Sequence, residues 1–254
     1  MPLLDASPIL VTGGARGLGA AIARSLHRHG ASVVINYHQS EQAAQALVAE
    51  LGDRAWAMQA DVRDAAQVQA MVAQAQRLAG QPLAGVVNNA LVGFSFNGDA
   101  RDKLDTIRWE AFDAQLRGAL QGALNTMQAC LSGWKARGGG SVVNVGTNLF
   151  QNPVVPYHDY TASKAALLAL TRTAAHEWGP HGIRVNMVSG GLLRTTDASR
   201  VTPDFVFDLI AGQTPLRQVT TPEDFADAVV FFMSGLSRAV TGQNLVVDGG
   251  LVMN

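Results

Sequence analysis

Short, almost uninterrupted apolar runs alternate with longer amphipathic stretches along the whole chain. Pro8 to Thr12, Ser32 to Tyr37, Arg54 to Gln59, Ala84 to Asn88, Ser141 to Val145, Arg184 to Val188 and Asn244 to Val247 read as strands. Between them, helical spacing marks Gly17 to His29, Glu41 to Leu51, the stripe Val68, Met71, Val72, Ala75 and Leu78, a long segment around Trp109 to Lys135, and Tyr157 to Trp178. Strands that are apolar throughout need cover on both faces, and intervening helices supply it. The pattern predicts an α/β fold: one doubly wound domain over residues 1–254, with a mostly parallel seven-stranded sheet flanked by helices on both faces. No repeat, low-complexity tract or linker divides the chain.

Two stretches break the alternation. Gly93 to Thr106 is polar and rich in Gly and Asp, and Ser189 to Gln213 carries Gly190-Gly191, several threonines and then Phe205-Val206-Phe207. Both follow strand C-termini, where open α/β sheets bind ligands. The second reads as a substrate lid over about residues 189–213 with glycine flexibility at its base.

Nineteen basic and twenty acidic residues give a net charge of −1, and no Lys/Arg run breaks that balance. A nucleic-acid-binding or polybasic membrane surface is therefore not expected. The single Cys130 excludes an intramolecular disulfide framework and fits a reducing compartment. The N-terminal segment lacks the pattern of a secretory signal, and no apolar run approaches the ~20 residues of a membrane span. These features predict a soluble, cytoplasmic protein. The six histidines show no metal-ligand spacing, and His27 and His29 point to different faces of their helix, so no metal site is expected.

Candidate chemistry sits at the two ends of this pattern. Thr12-Gly13-Gly14-Ala15-Arg16-Gly17-Leu18-Gly19 joins the first strand to the first helix. Glycines there allow a tight turn and let a pyrophosphate approach backbone N–H groups at a helix N-terminus. In Tyr160-Thr161-Ala162-Ser163-Lys164 the phenol and amine are four residues apart and share a helix face. An ammonium beside a phenol favours the phenolate and lowers its pKa, which makes an acid/base group for neutral pH. Thr147 places a hydroxyl upstream.

Together, Thr12-Gly13…Gly17-Leu18-Gly19, Asn88-Asn89-Ala90 and Tyr160…Lys164 resemble the short-chain dehydrogenase/reductase family from about Pro8 to Gly250. The closest general likeness is to its 3-oxoacyl-acyl-carrier-protein reductase group. The resemblance implies a Rossmann-type fold and hydride transfer between a nicotinamide and a carbonyl or alcohol carbon. It implies Tyr160 as the proton donor or acceptor, Lys164 as the group that lowers its pKa and binds the nicotinamide ribose, and Thr147 as a hydrogen-bond partner of the substrate oxygen. It also implies cofactor contacts from Gly13, Ala15, Arg16, Gly17, Leu18 and Gly19, from Asp61 and Val62 at the adenine, from Asn88 and Ala90, and from Gly191, Leu193 and Thr195 on the nicotinamide side.

An acidic residue ending the second strand would bind the ribose 2′-OH of NAD and repel a 2′-phosphate. Here that strand ends Asn36-Tyr37-His38-Gln39-Ser40, without a carboxylate, and Arg16 stands in the glycine turn. NADP(H) is therefore expected over NAD(H), with Arg16 as the main 2′-phosphate contact, helped by Asn36, His38 or Ser40.

Four positions depart from the family pattern. Thr147 replaces a serine, thirteen residues before the tyrosine, and keeps the hydroxyl with a stiffer χ1. Ala119 occupies the position, counted back from Thr147, of an asparagine that helps hold a water in a proton path. Gln115, one turn earlier, or Asn125, further along, could partly substitute although neither matches that spacing, and a backbone carbonyl with water could also serve. Leu91 replaces a glycine and narrows the space beside the cofactor. Gly190 replaces a proline and loosens the start of the lid.

Leu91, Phe94, Leu149, Phe150, Val154, Val155, His158, Leu192 and Leu193 are the expected pocket walls. They are mostly apolar, which suits an acyl chain or another apolar ketone. His158 reads equally as a polar anchor or as a packed residue. Three functions stay open: a carbonyl reductase, including a 3-oxoacyl thioester reductase; an alcohol dehydrogenase oxidising a steroid, sugar or secondary alcohol; and a cofactor-binding protein with little turnover, which Ala119 keeps in play. The implied partners are a small-molecule carbonyl, alcohol or acyl thioester and further copies of the chain. A dimer or tetramer would form through the helices around Gln115 to Lys135 and Tyr157 to Trp178, the latter presenting Ala162, Ala165, Ala166 and Ala169.

Overall fold

The computed structural model describes residues 3–94, 96, 100–194, 196, 199 and 202–253. Its apolar runs form β1 (Pro8–Val11), β2 (Ser32–Tyr37), β3 (Ala55–Gln59), β4 (Gly85–Asn88), β5 (Gly140–Thr147), β6 (Ile183–Gly190) and β7 (Asn244–Val247). These make one sheet in the order β3-β2-β1-β4-β5-β6-β7. Every pairing is parallel, so the sheet expected to be mostly parallel is wholly so. Strand order reverses between β1 and β4, and such a switch opens a crevice at the strand C-termini.

Side chains alternate across each strand, and that alternation sorts the core into two layers. Ile9 and Val11 face a layer containing α1 (Gly17–Arg28), α2 (Glu41–Leu51) and α8 (Pro222–Met233). Leu10, Val34, Val86 and Val142 face the opposite layer, with α3 (Ala65–Ala79), α5 (Gly122–Arg137) and α6 (His158–Trp178). The fold is α/β and Rossmann-type.

Local signals set the helix ends. Asp64 caps α3 by accepting from the Ala66 and Gln67 amides, and Gly80 closes it in the left-handed region. Val68, Met71, Val72 and Ala75 are buried as expected, whereas Leu78, in the last turn, is 51% exposed. The long helix expected around Trp109 to Lys135 is interrupted. It consists of α4 (Trp109–Leu116), a π-turn at Arg117–Gln121, and α5. A Cβ on Gly118 would stand 3.0 Å from the Val92 side chain, and one on Gly122 would stand 2.9 Å from Val62. Glycine at both positions lets the segments after β3 and β4 close down on this bulge, a device often found at functional sites.

Two helices lie beyond the sequence reading. In α8, Pro222 stands in the first turn and Thr221 and Asp224 form a capping box, while Phe225, Val229 and Phe232 are buried. The expected lid stretch contains α7 (Asp204–Gln213), with Phe207 buried and Phe205 exposed. Ser189 and Gly190 belong to β6, not to the lid. A Cβ on Gly190 would press the Phe225 ring at 3.2 Å. Glycine there makes room for α8, which corrects the reading that it loosens the lid.

Candidate active site

The turn between β1 and α1 is laced to the end of β4. Gly13 and Gly17 have φ of +60 and +54, a region open to glycine at little cost. The Asn89 side chain donates to the Thr12 and Gly13 carbonyls at 3.0 and 3.1 Å. Thr12 Oγ1 in turn accepts from the backbone N–H groups of Asn89 and Ala90. A Cβ on Gly19 would lie 2.6 Å from Asn89 Nδ2, so the clasp requires glycine. Arg16, the N-cap of α1, makes no side-chain capping bond, and the first turn holds no acidic residue. Backbone donors and the positive end of the helix are therefore left for an anion, and this cradle fits a dinucleotide pyrophosphate. Ala15 is buried behind the turn and Leu18 is half-buried.

Around the expected 2′-phosphate region the residues separate. Arg16 and His38 are exposed and Ser40 is half-buried at the start of α2. Asn36 is 2% exposed. Its Oδ1 accepts from Gly13 N–H at 3.2 Å and its Nδ2 donates to the Ala60 carbonyl at 3.0 Å. It braces the glycine turn from beneath, so its side chain does not reach a phosphate. At the expected adenine site Val62 is buried, while Asp61 accepts a bidentate pair from Arg63, Nε to Oδ1 and Nη2 to Oδ2. That pairing, chiefly its hydrogen bonds, holds the Asp61 carboxyl below its ordinary range. His38 lies 3.9 Å from the same carboxylate.

Asn88 is also committed inward. It donates to Asn144 Oδ1 at 2.8 Å and accepts from Thr126 Oγ1 at 2.6 Å, while Asn144 donates to Thr171 Oγ1 at 2.9 Å. This buried chain ties β4 and β5 to α5 and α6. Any cofactor contact from Asn88 therefore comes from its backbone. Ala90 and Gly191 are half-buried beside the crevice, Leu193 packs on the α1/α8 layer, and Thr195 lies outside the described residues.

Thr147, at the C-terminus of β5, and Tyr160 and Lys164, one turn apart on α6, come together. They are 4%, 6% and 3% exposed. The Thr147 hydroxyl is close enough to the Tyr160 phenol to act on it as a hydrogen-bonding neighbour. Burial raises the Tyr160 pKa to about 12, more than the bond to Thr147 lowers it. The expected depression by Lys164 is absent in this arrangement. The Lys164 ammonium lies 5.8 Å from the Tyr160 ring centre and donates to the Val145 carbonyl at 2.7 Å. Its own pKa is pushed down to about 8 by burial. The phenol is thus protonated through neutral pH, as a proton donor must be.

Ala119 sits in the π-turn, on the wall of a cavity of about 10 Å³ shared with Thr12, Asn88 and Lys164. Neither neighbouring amide stands in for the missing asparagine. Gln115 donates to the Val92 carbonyl at 3.1 Å and Asn125 to the Val62 carbonyl at 2.9 Å. Of the expected pocket walls, Phe94, Leu149, Val155, His158 and Leu192 are half-buried and Leu91 is 38% exposed. Val154 is 71% exposed and forms no wall. Phe150 packs instead against the Ala123, Leu167 and Met187 cluster. Among the described residues, no cluster has the composition of a metal site and no helix is long and apolar enough to cross a membrane.

Residues 13–252 match a family model described as enoyl-(acyl carrier protein) reductase. The chain belongs to the short-chain dehydrogenase/reductase family. It is similar to an L-rhamnose 1-dehydrogenase (NAD(P)(+)) of a Sphingomonas species, with 34% identity over all of this chain and 99% of that one. A 3-oxoacyl-[acyl-carrier-protein] reductase of Staphylococcus aureus is 32% identical over 96% of this chain and 97% of that one. The solved structure of a Burkholderia cenocepacia gluconate 5-dehydrogenase, in complex with NADP and tartrate, superposes with a TM-score of 0.87 at 31% identity, covering 98% and 96% of the two chains. The protein is therefore an oxidoreductase of this family acting on CH–OH or carbonyl groups with a nicotinamide dinucleotide.

As a short-chain dehydrogenase/reductase, it also places two charged residues at the site that sequence reading missed. Asp159, immediately before Tyr160, is 2% exposed and paired with Arg101 at 2.5 Å. Asp159 adjoins the tyrosine in sequence, but only the tertiary contact reveals its partner.

Proposed function

We propose that the protein is an NADP(H)-dependent reductase of a ketone, with a 3-oxoacyl thioester as the first candidate substrate, and that residues 1–254 work as one nucleotide-binding domain. The observation that carries this reading is the burial of the Tyr160 and Thr147 hydroxyls together with Lys164 at the end of β5. In reduction, Thr147 holds the carbonyl oxygen and Tyr160 gives it a proton as negative charge develops there. When bound, the dinucleotide supplies the hydride in reduction and accepts it in oxidation. The α1 N-terminus and the glycine turn would hold its pyrophosphate, Asp61 and Val62 its adenine, and Lys164 its nicotinamide ribose. Residues 191–213, after the end of β6, act as the lid. The cavity at Ala119 has about the room one water needs. A water there, hydrogen-bonded to Lys164, would take the place of the amide that Ala119 lacks and return protons toward Tyr160.

Arg16 is the 2′-phosphate contact, with His38 and Ser40 alongside. Arg16→Ala is expected to lower the NADPH-over-NADH ratio of kcat/KM by about tenfold or more, the loss of a charge-assisted contact. A ratio equal to wild type removes the assignment.

The half-buried wall of Phe94, Leu149, Val155 and Leu192 favours an apolar ketone over a polyol. The relatives named for sugar substrates make a polyol dehydrogenase the alternative. A panel of short 3-oxoacyl thioesters, simple ketones, steroids and sugars, run with NADPH and NADP+, decides between them. Faster oxidation of sugars than reduction of every ketone would overturn the reductase reading. No turnover despite tight NADPH binding would favour a binding protein. Ala162, Ala165 and Ala169 lie exposed along α6, and a dimer or tetramer formed on that face accounts for them.

A further inference from the structure

The Asp159 carboxylate is 3% exposed and faces Arg101, whose Nη2 reaches both of its oxygens at 2.5 and 2.6 Å. A carboxylate buried this deeply needs its counter-charge, so the pair fixes where Arg101 lies. The carbon of that guanidinium stands over the Phe94 ring, 4.4 Å from its centroid, a cation–π contact. Phe94 in turn lies over the Tyr160 ring at 4.7 Å with 30° between the planes. Phe96 meets the Tyr160 ring edge-on at 5.4 Å. Tyr160 thus has aromatic cover on its ring and a hydroxyl end turned to Thr147.

We infer that Arg101 is a positioning residue for substrate specificity: clamped by Asp159, it holds Phe94 against Tyr160 as a wall that admits compact ketones and excludes bulky ones. The inference rests on the reductase reading. Asp159 supplies the anchor, Arg101 transmits it, and of these three residues Phe94 alone touches the substrate. The polar, Gly- and Asp-rich stretch after β4 would not hold an aromatic ring over the site without such an anchor.

Ethyl acetoacetate and ethyl benzoylacetate present the same 3-oxo ester with a methyl or a phenyl on the ketone. Arg101→Ala is expected to raise the benzoylacetate-to-acetoacetate ratio of kcat/KM by about tenfold or more, mostly through KM. Phe94→Ala should do the same, and the double variant should exceed Phe94→Ala by no more than about twofold, because the two act through one contact. Arg101→Lys, which keeps the charge without the planar face, should fall between. An unchanged ratio, or fully additive effects, would overturn the inference. Turnover of neither ester by wild type would count against the reductase reading alone. Nitration by tetranitromethane, mapped on the three tyrosines, then decides. Arg101→Ala should speed modification of Tyr160 relative to Tyr37 by about tenfold, a local opening. Equal rates in wild type and variant, or equal acceleration at Tyr37, would overturn it.

Discussion

Tyr160→Phe is expected to lower kcat by ~10²–10⁴-fold while leaving NADPH binding within about threefold of wild type. The ring is retained, and with it the contacts to Phe94 and Phe96, so the fold loses only the hydrogen bond to Thr147, worth about 1 kcal/mol. What disappears is the donor itself. Among the described residues, the Tyr157 ring centre is 6.5 Å from that of Tyr160, the Lys164 ammonium is held on the Val145 carbonyl, and a threonine hydroxyl is far too weak an acid. The pH dependence sharpens the expectation. Burial raises the Tyr160 pKa to about 12, so in the cofactor-free protein the phenol keeps its proton from neutral pH to well above 9. Tyr160 itself should therefore impose no loss of donor at the start of a reductive cycle across that range. Steady-state kcat, with NADPH binding followed by its fluorescence, tests this. A variant that keeps more than about a tenth of wild-type kcat would remove Tyr160 from the chemistry.

The particular residues show why some features were readable and others were not. Ser32–Tyr37 and Glu41–Leu51 were found with their observed bounds, because β2 is buried throughout and α2 follows immediately with a clear amphipathic pattern. The polar and glycine ends of β5 and β6 escaped. Thr147 pairs with Gly190 and Gly146 with Ser189, and that register is a property of two strands together. The helix α8 escaped because its apolar residues crowd into one run, although Thr221 and Asp224 announced its start. At the site, motifs spanning a few residues were legible: the glycine turn and the Tyr160/Lys164 pair. Contacts across long sequence separations were not. Asn36 looked like a phosphate ligand until Gly13 claimed its oxygen, Gly190 looked like flexibility until Phe225 filled its space, and Arg101 carried no signal until Asp159 stood opposite.

Lys164→Met is expected to leave the cofactor-free protein more stable than wild type at neutral pH, by an amount that shrinks as the pH rises. In the folded chain, burial lowers the Lys164 pKa from its ordinary 10.5 to about 8. Below pH 8 the amine is protonated in both states, and the folded state bears the whole cost of a buried ammonium, about 3 kcal/mol. Between pH 8 and 10.5 the unfolded chain still holds a proton that the folded chain has released. Wild-type stability therefore rises with pH through that window through this group. Methionine has comparable bulk and no charge, so it lacks both the cost and its relief. Urea unfolding of both proteins should show the gap closing by about 1 kcal/mol between pH 7 and 9. A gap that is constant or widens over that range would mean that the amine is not desolvated in the folded state. A buried cation bonded to a carbonyl, with no carboxylate paired to it among the described residues, is a poor way to hold a fold together. On the proposed function, its position between that carbonyl and the Tyr160 ring would prepare it for a bound dinucleotide and a proton path, with stability given up for the chemistry.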